Sequence, residues 1–160
     1  MRVGMLTRFL TKARHKTINT REKAPMLLIM AFDAERHELE IQIGDALTVH
    51  GAWIDQVVAI ARGAHAPEGV EITMREDACT FGQWLNGSIR PSLRNSPQFW
   101  LAKARHATFH RHAAMILNAA KRNDPSLRAM VGSATAFGEN AKQLRATLHD
   151  WMQLAFRRAS

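Results

Sequence analysis

Hydrophobic side chains recur every three or four positions along most of this 160-residue chain, which is the period of an α-helix rather than the alternation of a β-strand. The clearest stripe runs from Asp33 to about Arg62, with acidic residues on its other side, and Gly63 ends it. The positions of this stripe are Leu39, Ile43, Leu47, His50, Ile54, Val57 and Ala61. We therefore predict a long amphipathic first helix that turns His50 toward the core.

A short second helix and a long third helix are predicted next. The short helix extends from about Arg75 to Leu85, and residues 86–87 (Asn-Gly) stop it. The third helix has a clear start, because Ser96 is a good N-cap residue and Pro97 suits the first helical position. Its stripe consists of Phe99, Ala102, His106, Ala113, Leu117 and Ala120, with His110 beside it.

A fourth helix is predicted to open in the same way, at Asp124 and Pro125. Its apolar positions are Leu127, Val131, Ala134, Ala141, Leu144, Leu148, Trp151 and Ala155. Long helices joined by short connections favour an antiparallel bundle. The sequence thus predicts an all-α fold, an antiparallel four-helix bundle with an additional short helix that carries Cys79.

The net charge of +8 is concentrated at the beginning of the chain. Residues 1–24 carry seven Lys and Arg against one acid, a net charge of +6, which leaves only +2 for the rest. We interpret residues 1–32 as a basic, flexible N-terminal segment and residues 33–160 as one helical domain. Nucleic-acid binding is not favoured, since a basic stripe for phosphates is expected to run through the folded part. Because Met26 and Met30 precede the first stripe, we expect natural translation to start downstream of residue 1, which an intact mass would test.

The remainder of the chain divides into two regions of opposite charge. Residues 33–77 hold ten acids and three bases, whereas residues 78–122 hold seven bases and no acid. Opposite charges attract when helices pack side by side. The pattern predicts that the two regions pack together or meet across a dimer.

The composition also indicates the cellular compartment and excludes some classes of protein. Cys79 is the only cysteine, which excludes a disulfide-stapled secreted scaffold and is typical of a reducing compartment. The longest apolar run, residues 25–32, is far shorter than the roughly 18 residues of a membrane-spanning helix. We expect a cytoplasmic protein with no membrane span. An enzyme is not expected, because the chain has no Gly-rich phosphate loop and no Ser/His/Asp pattern.

Three histidines and the single cysteine form a candidate metal site: His50, Cys79, His106 and His110. His106 and His110 are four positions apart and would share one face of the third helix. Each residue has an ordinary explanation alone, since a lone cysteine is usually a small buried hydrophobe and a buried histidine is usually hydrogen-bonded in the core. Burying three imidazoles without a shared partner would be costly, however, and one divalent ion satisfies all three.

Three imidazoles and one thiolate suit tetrahedral Zn²⁺. With all four positions taken by protein, none remains for water or substrate, which argues against hydrolytic catalysis. A carboxylate near this positive centre would be favourable, and Asp45, Asp55 and Asp77 are the alternatives. A di-iron site is disfavoured because residues 78–122 contain no carboxylate. His112 lies two positions past His110 and is predicted to face solvent.

Three motifs resemble the chemoreceptor zinc-binding (CZB) domain family. They are HGAW at 50–53, CTFGQWL at 79–85 and HATFH at 106–110. The resemblance covers roughly residues 40–120 directly, and the fourth helix fits the family's bundle without carrying a motif. The zinc ligands that it implies are His50, Cys79, His106 and His110. The supporting residues that it implies are Trp53, Phe81, Gly82 and Trp84.

The resemblance implies a regulatory domain and not an enzyme. In the family, this domain is usually attached to cytoplasmic chemoreceptors or diguanylate cyclases, is typically dimeric, and responds to zinc or to oxidants acting at the cysteine. This sequence shows neither a coiled-coil signalling region nor a cyclase domain. We therefore expect a free-standing homodimeric sensor that acts on a diguanylate cyclase or chemoreceptor-type protein in trans. The alternative is a structural zinc or zinc-buffering protein.

Overall fold

The computed structural model describes residues 20–71 and 75–158. Helices make up most of this part of the chain, and no β-strand occurs within it, so the all-α prediction is confirmed. The α-helices are α1 (Thr20–Ala61), α2 (Thr80–Gln83), α3 (Pro91–Arg94), α4 (Pro97–Lys121) and α5 (Ala136–Arg158). Three of them are long, and α2 and α3 are single turns.

The first helix ends where the sequence predicted but begins earlier. The backbone amides of Gly63 and Ala64 donate to Ile60 and Ala59, and Gly63 has a φ of 108°, a left-handed conformation that closes the last turn. At the other end, α1 begins at Thr20 instead of Asp33. Residues 20–32, predicted to be flexible, are therefore helical, and residues 1–19 lie outside the described part.

The short helix next to Cys79, in contrast, is shorter than predicted. Cys79 caps α2, which begins at Thr80 and not at Arg75. The chain then widens into a π-helical turn over Trp84–Ser88, in which the amide of Ile89 donates to the Trp84 oxygen at 3.1 Å. The Asn-Gly pair that was predicted to stop the helix lies inside this turn.

The two predicted caps of the later helices had different outcomes. The Ser96 cap is confirmed, because its hydroxyl oxygen accepts from the amide of Phe99 at 3.2 Å at the start of α4. The predicted start of the fourth helix at Asp124 is wrong. The carboxylate of Asp124 instead accepts hydrogen bonds from the amide and the hydroxyl of Ser126 in a tight turn. A 3₁₀ turn (Leu127–Met130) follows.

A glycine explains why the last helix starts late. Gly132 has a φ of 146°, which interrupts any helix running from residue 124. The helix α5 begins only at Ala136, after Thr135, whose hydroxyl oxygen accepts from the amide of Gly138 at 3.2 Å. The apolar positions predicted at 127, 131 and 134 therefore belong to the connection that precedes α5.

The first two long helices, α1 and α4, run parallel. Leu39 and Ser96 line one cavity, near the start of α4. Ile60 and Leu117 line another cavity, near the ends of both helices. The connection that carries α2 and α3 thus returns the chain to the end of the bundle at which α1 enters it.

The last helix, α5, runs antiparallel to both. Trp151, near its end, contacts Phe99 at the start of α4, with ring centroids 6.3 Å apart. Phe137, near its beginning, stacks on Phe109 at 5.6 Å. The core therefore lies between three long helices, and the predicted antiparallel four-helix bundle is not confirmed. No helix in the described part of the chain combines the length and apolar character needed to cross a membrane.

The two oppositely charged regions meet within one chain. Arg90 forms an ion pair with Glu38, with Nε 2.6 Å from Oε2, and Lys121 forms one with Glu71, with Nζ 2.6 Å from Oε1. The second pair is about half exposed, and exposed pairs of this kind contribute only about 0–1 kcal/mol. The predicted attraction thus acts within one chain, and its exposed Lys121–Glu71 pair contributes little to stability.

Candidate metal centre

The fold brings His50, Cys79, His106 and His110 together at the centre of the molecule. One donor atom from each residue lies within 4.8 Å of the others, and all four residues are buried. The helix α1 supplies His50, the cap of α2 supplies Cys79, and α4 supplies the other two. Residues separated by up to 60 positions thus converge because α1 and α4 run parallel and α2 folds against both.

His50 is fixed by a backbone carbonyl of its own helix. Its Nδ1 lies 2.7 Å from the oxygen of Ala46, four residues earlier. Because a carbonyl can only accept, Nδ1 carries the proton and Nε2 keeps its lone pair. That Nε2 lies 3.8 Å from the sulfur of Cys79. Burial lowers the pKa of His50 to about 4, although the hydrogen bond to Ala46 opposes the shift.

His106 and His110 face each other across one turn of α4. Their Nε2 atoms are 3.0 Å apart, and their ring centroids are 4.5 Å apart. Burial, followed by the proximity of His110 and His50, lowers the pKa of His106 to about 2. At neutral pH, His50 and His106 are therefore uncharged, which is the protonation state that a metal ligand requires.

Cys79 is held at the beginning of α2, next to two backbone amides. Burial raises the pKa of its thiol, and hydrogen bonds from the amides of Gly82 and Phe81 oppose that shift. The thiol is thus protonated at neutral pH when no cation is present. A cation at the centre of the cluster would reverse this balance, since a coordinating thiol loses its proton.

The donor set and its spacing fit a four-coordinate metal ion. Bonds of 2.0–2.1 Å to nitrogen and 2.3 Å to sulfur give tetrahedron edges of about 3.3 Å between nitrogens and about 3.6 Å between nitrogen and sulfur. The separations of 3.0 Å between His106 and His110 and of 3.8 Å between His50 and Cys79 are close to those edges. The cluster can therefore hold a metal ion with small movements of the side chains.

Aromatic rings surround the cluster, as the sequence led us to expect. Trp53 packs edge-on against two of the imidazoles, with its ring centroid 5.2 Å from that of His50 and 5.5 Å from that of His110. Phe81 contacts both His50 and His106. These rings limit the access of water and hold the imidazole planes, which are the two tasks of the shell around a metal site.

Gly82 allows a close approach that no other residue would permit. A Cβ atom at this position would lie 1.7 Å from the backbone oxygen of Glu76 and 3.0 Å from Cε1 of His106. The close approach is between α2 and the turn that precedes it. Without it, the turn could not place Cys79 beside His106.

The three carboxylates considered near the site lie in different surroundings. Asp77 pairs with Arg75 on the surface at 2.8 Å, which lowers the pKa of its carboxyl group. Asp55 is exposed, and Asp45 lines the cavity that leads to Cys79. The second contact of His50 goes to the backbone of Ala46, which no side-chain pattern can indicate.

Two details of the sequence analysis need amendment. His112, predicted to face solvent, is partly buried, and its Nδ1 is enclosed without a hydrogen-bond partner. Glu38 was missed, although it accepts from Trp84 Nε1 at 2.8 Å and from Arg90 Nε at 2.6 Å. Glu38 thereby ties α1 to the π-helical turn that follows α2. Its place among the acids of the exposed face of α1 gave no signal of this role.

Comparison of the chain with protein-family models, with curated proteins and with solved structures finds no match. The resemblance to the chemoreceptor zinc-binding family therefore depends on the three motifs. The geometry of the cluster is independent of that resemblance, because it follows from the positions of four side chains in this chain.

Proposed function

We propose that this protein is a zinc-binding regulatory bundle in which His50, Cys79, His106 and His110 are the ligands. The observation that carries the proposal is the convergence of four buried donor atoms within 4.8 Å. Three imidazoles and one thiol in a buried site have no obvious role in packing, since apolar residues would fill the same volume at lower cost.

Zinc suits this donor set better than the other common divalent ions. Calcium and magnesium require oxygen ligands, and the cluster offers nitrogen and sulfur. A single thiolate with three imidazoles and no preferred geometry favours a d¹⁰ ion. When bound, zinc would supply a positive charge that keeps the Cys79 sulfur as a thiolate.

The chain's own residues would convert a change at the site into a change at the surface. With a metal bound, Cys79 would hold the turn before α2 against α1 and α4, whereas Trp84 and Arg90 donate hydrogen bonds to Glu38. Loss of the metal would therefore release the turn around Cys79 but not the segment after it. The exposed pair of Arg75 and Asp77 lies on this turn and would move with it.

The same site offers a route for oxidants. A cavity of about 340 Å³ reaches Cys79 from the surface, and Asp45, Val49 and Thr80 contribute to its lining. A thiolate is the form of cysteine that oxidants attack, and Cys79 is the one redox-active donor of the four. Oxidation of its sulfur would weaken metal binding and release the same turn.

The signalling partner and the oligomeric state are proposed from the resemblance to the family. We infer a cytoplasmic homodimer, without enzymatic activity, that modulates a diguanylate cyclase or a chemoreceptor-type protein in trans. Four protein ligands leave no position for a substrate, which supports regulation over catalysis. The CZB family membership itself is proposed on the three motifs.

A structural or zinc-buffering protein with no signalling output is the second candidate. It is favoured by the central position of the site, where a metal would cross-link α1, α4 and the segment between them. Chelation discriminates the two candidates. An apo protein that unfolds outright indicates a structural role, and one that stays helical but changes its oligomeric state indicates regulation.

The direct test is metal analysis of the purified protein beside its Cys79→Ala variant. We expect about one zinc per chain in the first and a strong loss of zinc in the second. His65→Ala is the control, because His65 is an exposed histidine outside the cluster. The proposal fails if the native protein contains no zinc and takes up none from solution.

A further inference from the structure

A second cavity, of about 190 Å³, lies between α1 and α5. Most of its walls are aliphatic and aromatic side chains, namely Leu47, Ile54, Phe109, Leu144 and Leu148, and His50 forms part of the lining. The cavity therefore approaches His50 from the side of α5, whereas the cavity that reaches Cys79 approaches from the side of α2.

The walls of this cavity favour an apolar molecule over water. A water molecule inside a protein needs about two to four polar partners. The polar side chain of the inner wall is His50, and its two nitrogens already face the oxygen of Ala46 and the sulfur of Cys79. An engineered cavity of about 150 Å³ with the same kinds of wall binds benzene, so the volume here accommodates one six-membered ring.

A glycine in the middle of α1 keeps the cavity open. Gly51 also lines it, four residues after Leu47 and three before Ile54, so the three residues share one face of the helix. A Cβ atom at Gly51 would meet nothing within 4 Å. Glycine is unfavourable within a helix, and packing does not require it here. A larger residue at this position would project into the cavity.

The outer rim of the cavity carries positive charge. Lys142 and Arg145 both line it and are exposed, so the cavity reaches the surface between them. Lys142 contacts Glu139 at 3.3 Å, whereas Arg145 forms no ion pair within the part of the chain that the structure describes. A guanidinium presents a planar fork of N–H donors that matches a carboxylate. The rim thus favours an anionic group at Arg145.

We propose that this cavity binds a small aromatic carboxylate of about the size of benzoate. The ring lies between α1 and α5, and the carboxylate accepts hydrogen bonds from Arg145 at the surface. The ring also contacts His50, so the ligand lies against one residue of the metal centre. The proposal goes beyond metal binding and does not depend on it, since the apolar walls and Arg145 supply the contacts.

The test is an NMR titration of the full chain with benzoate, compared with benzyl alcohol and acetate. Benzyl alcohol keeps the ring without the charge, and acetate keeps the charge without the ring. We expect benzoate to shift the amide signals of Gly51 and Leu144 in a saturable way. It should bind at least about threefold more tightly than benzyl alcohol, because the carboxylate gains a charged hydrogen-bond partner. Acetate should cause no saturable shift.

Two substitutions test the two halves of the site. Gly51→Leu should weaken the binding of benzoate and of benzyl alcohol by at least about tenfold, because the added side chain occupies the cavity. Gly44→Leu is its matched control, since Gly44 lies on the exposed side of α1, outside the cavity, and binding should be unchanged.

Arg145→Gln should weaken the binding of benzoate by at least about threefold and leave that of benzyl alcohol unchanged, because it removes only the charged partner. Arg157→Gln is the matched control, since Arg157 is an exposed arginine of α5 outside the cavity lining. Amide spectra of the unliganded variants confirm that each remains folded. If Gly51→Leu does not fold, Arg145→Gln still tests the proposal.

The proposal is overturned if benzoate causes no saturable shift at Gly51 and Leu144, or if folded Gly51→Leu binds it as the native chain does. Equal binding of benzoate and benzyl alcohol, with Arg145→Gln unchanged, would also overturn it, since the cavity would then take neutral rings without recognising a carboxylate. A dimer that dissociates in Gly51→Leu, without benzoate binding by the native chain, would assign the cavity to a second copy instead.

Discussion

The sulfur of Cys79 lies 3.8 Å from Nε2 of His50, and the other nitrogen of that ring is held at 2.7 Å from the backbone oxygen of Ala46. The backbone of α1 thus orients the ring so that its free lone pair faces the thiol. A backbone carbonyl of α1 therefore sets which nitrogen of His50 is available to a metal ion.

Replacement of Cys79 by serine should weaken zinc binding by about 100-fold or more, because it removes a ligand, and loss of a supporting residue alone costs about 10–100-fold. Competition with a chromophoric chelator measures the change. His112→Ala is the control, since this histidine lies on α4 but outside the cluster. Equal losses in the two variants would contradict the assignment of Cys79 as a ligand.

Replacement of Gly82 by alanine should destabilise the fold by about 1–3 kcal/mol and weaken metal binding, because the added Cβ meets the backbone of Glu76 and the ring of His106. Urea unfolding measures the first effect, and chelator competition measures the second.

Gly44→Ala is the matched control for that substitution. Gly44 lies within α1, and a Cβ there meets nothing within 4 Å. Alanine should therefore stabilise the protein by about 0.5–1 kcal/mol through its better helix propensity. If both alanine variants shift stability in the same direction, the tight approach at Gly82 is not the cause.

Removal of the Glu38 carboxylate by Glu38→Ala should cost about 1–3 kcal/mol, since it leaves the indole N–H of buried Trp84 without its acceptor. The same substitution should cost less in a Trp84→Phe background, because phenylalanine has no indole N–H to leave without an acceptor. Urea unfolding of the four proteins in this cycle gives the coupling. An identical cost in both backgrounds would show that the two residues act independently.

Replacement of Thr135 by alanine should destabilise the protein by about 1 kcal/mol, because Thr135 caps α5. Asp124→Ala should cost under about 0.5 kcal/mol, since Asp124 holds only a surface turn. Thermal or urea unfolding compares the two variants. A larger cost at Asp124 than at Thr135 would contradict the assignment of Thr135 as the cap of α5.

The sequence was sufficient for features that depend on local order. The period of apolar residues identified α1 and α4, and Ser96 marked the start of α4 because a cap acts on amides three residues away. The four candidate ligands were also identified from the sequence, since three histidines on or beside apolar stripes need a common partner. The start of α5 was wrong, because the period continued through Gly132 while the backbone did not.

What the sequence by itself determined was the helical character of the chain and the chemical nature of its central cluster. Only the tertiary structure decided that α1 and α4 run parallel, that Ala46 orients His50, and that Glu38 anchors the segment after Cys79. The reason is physical. Helix period and capping are set by neighbours along the chain, whereas the path of a connection and the partner of a backbone carbonyl are set by packing between distant segments.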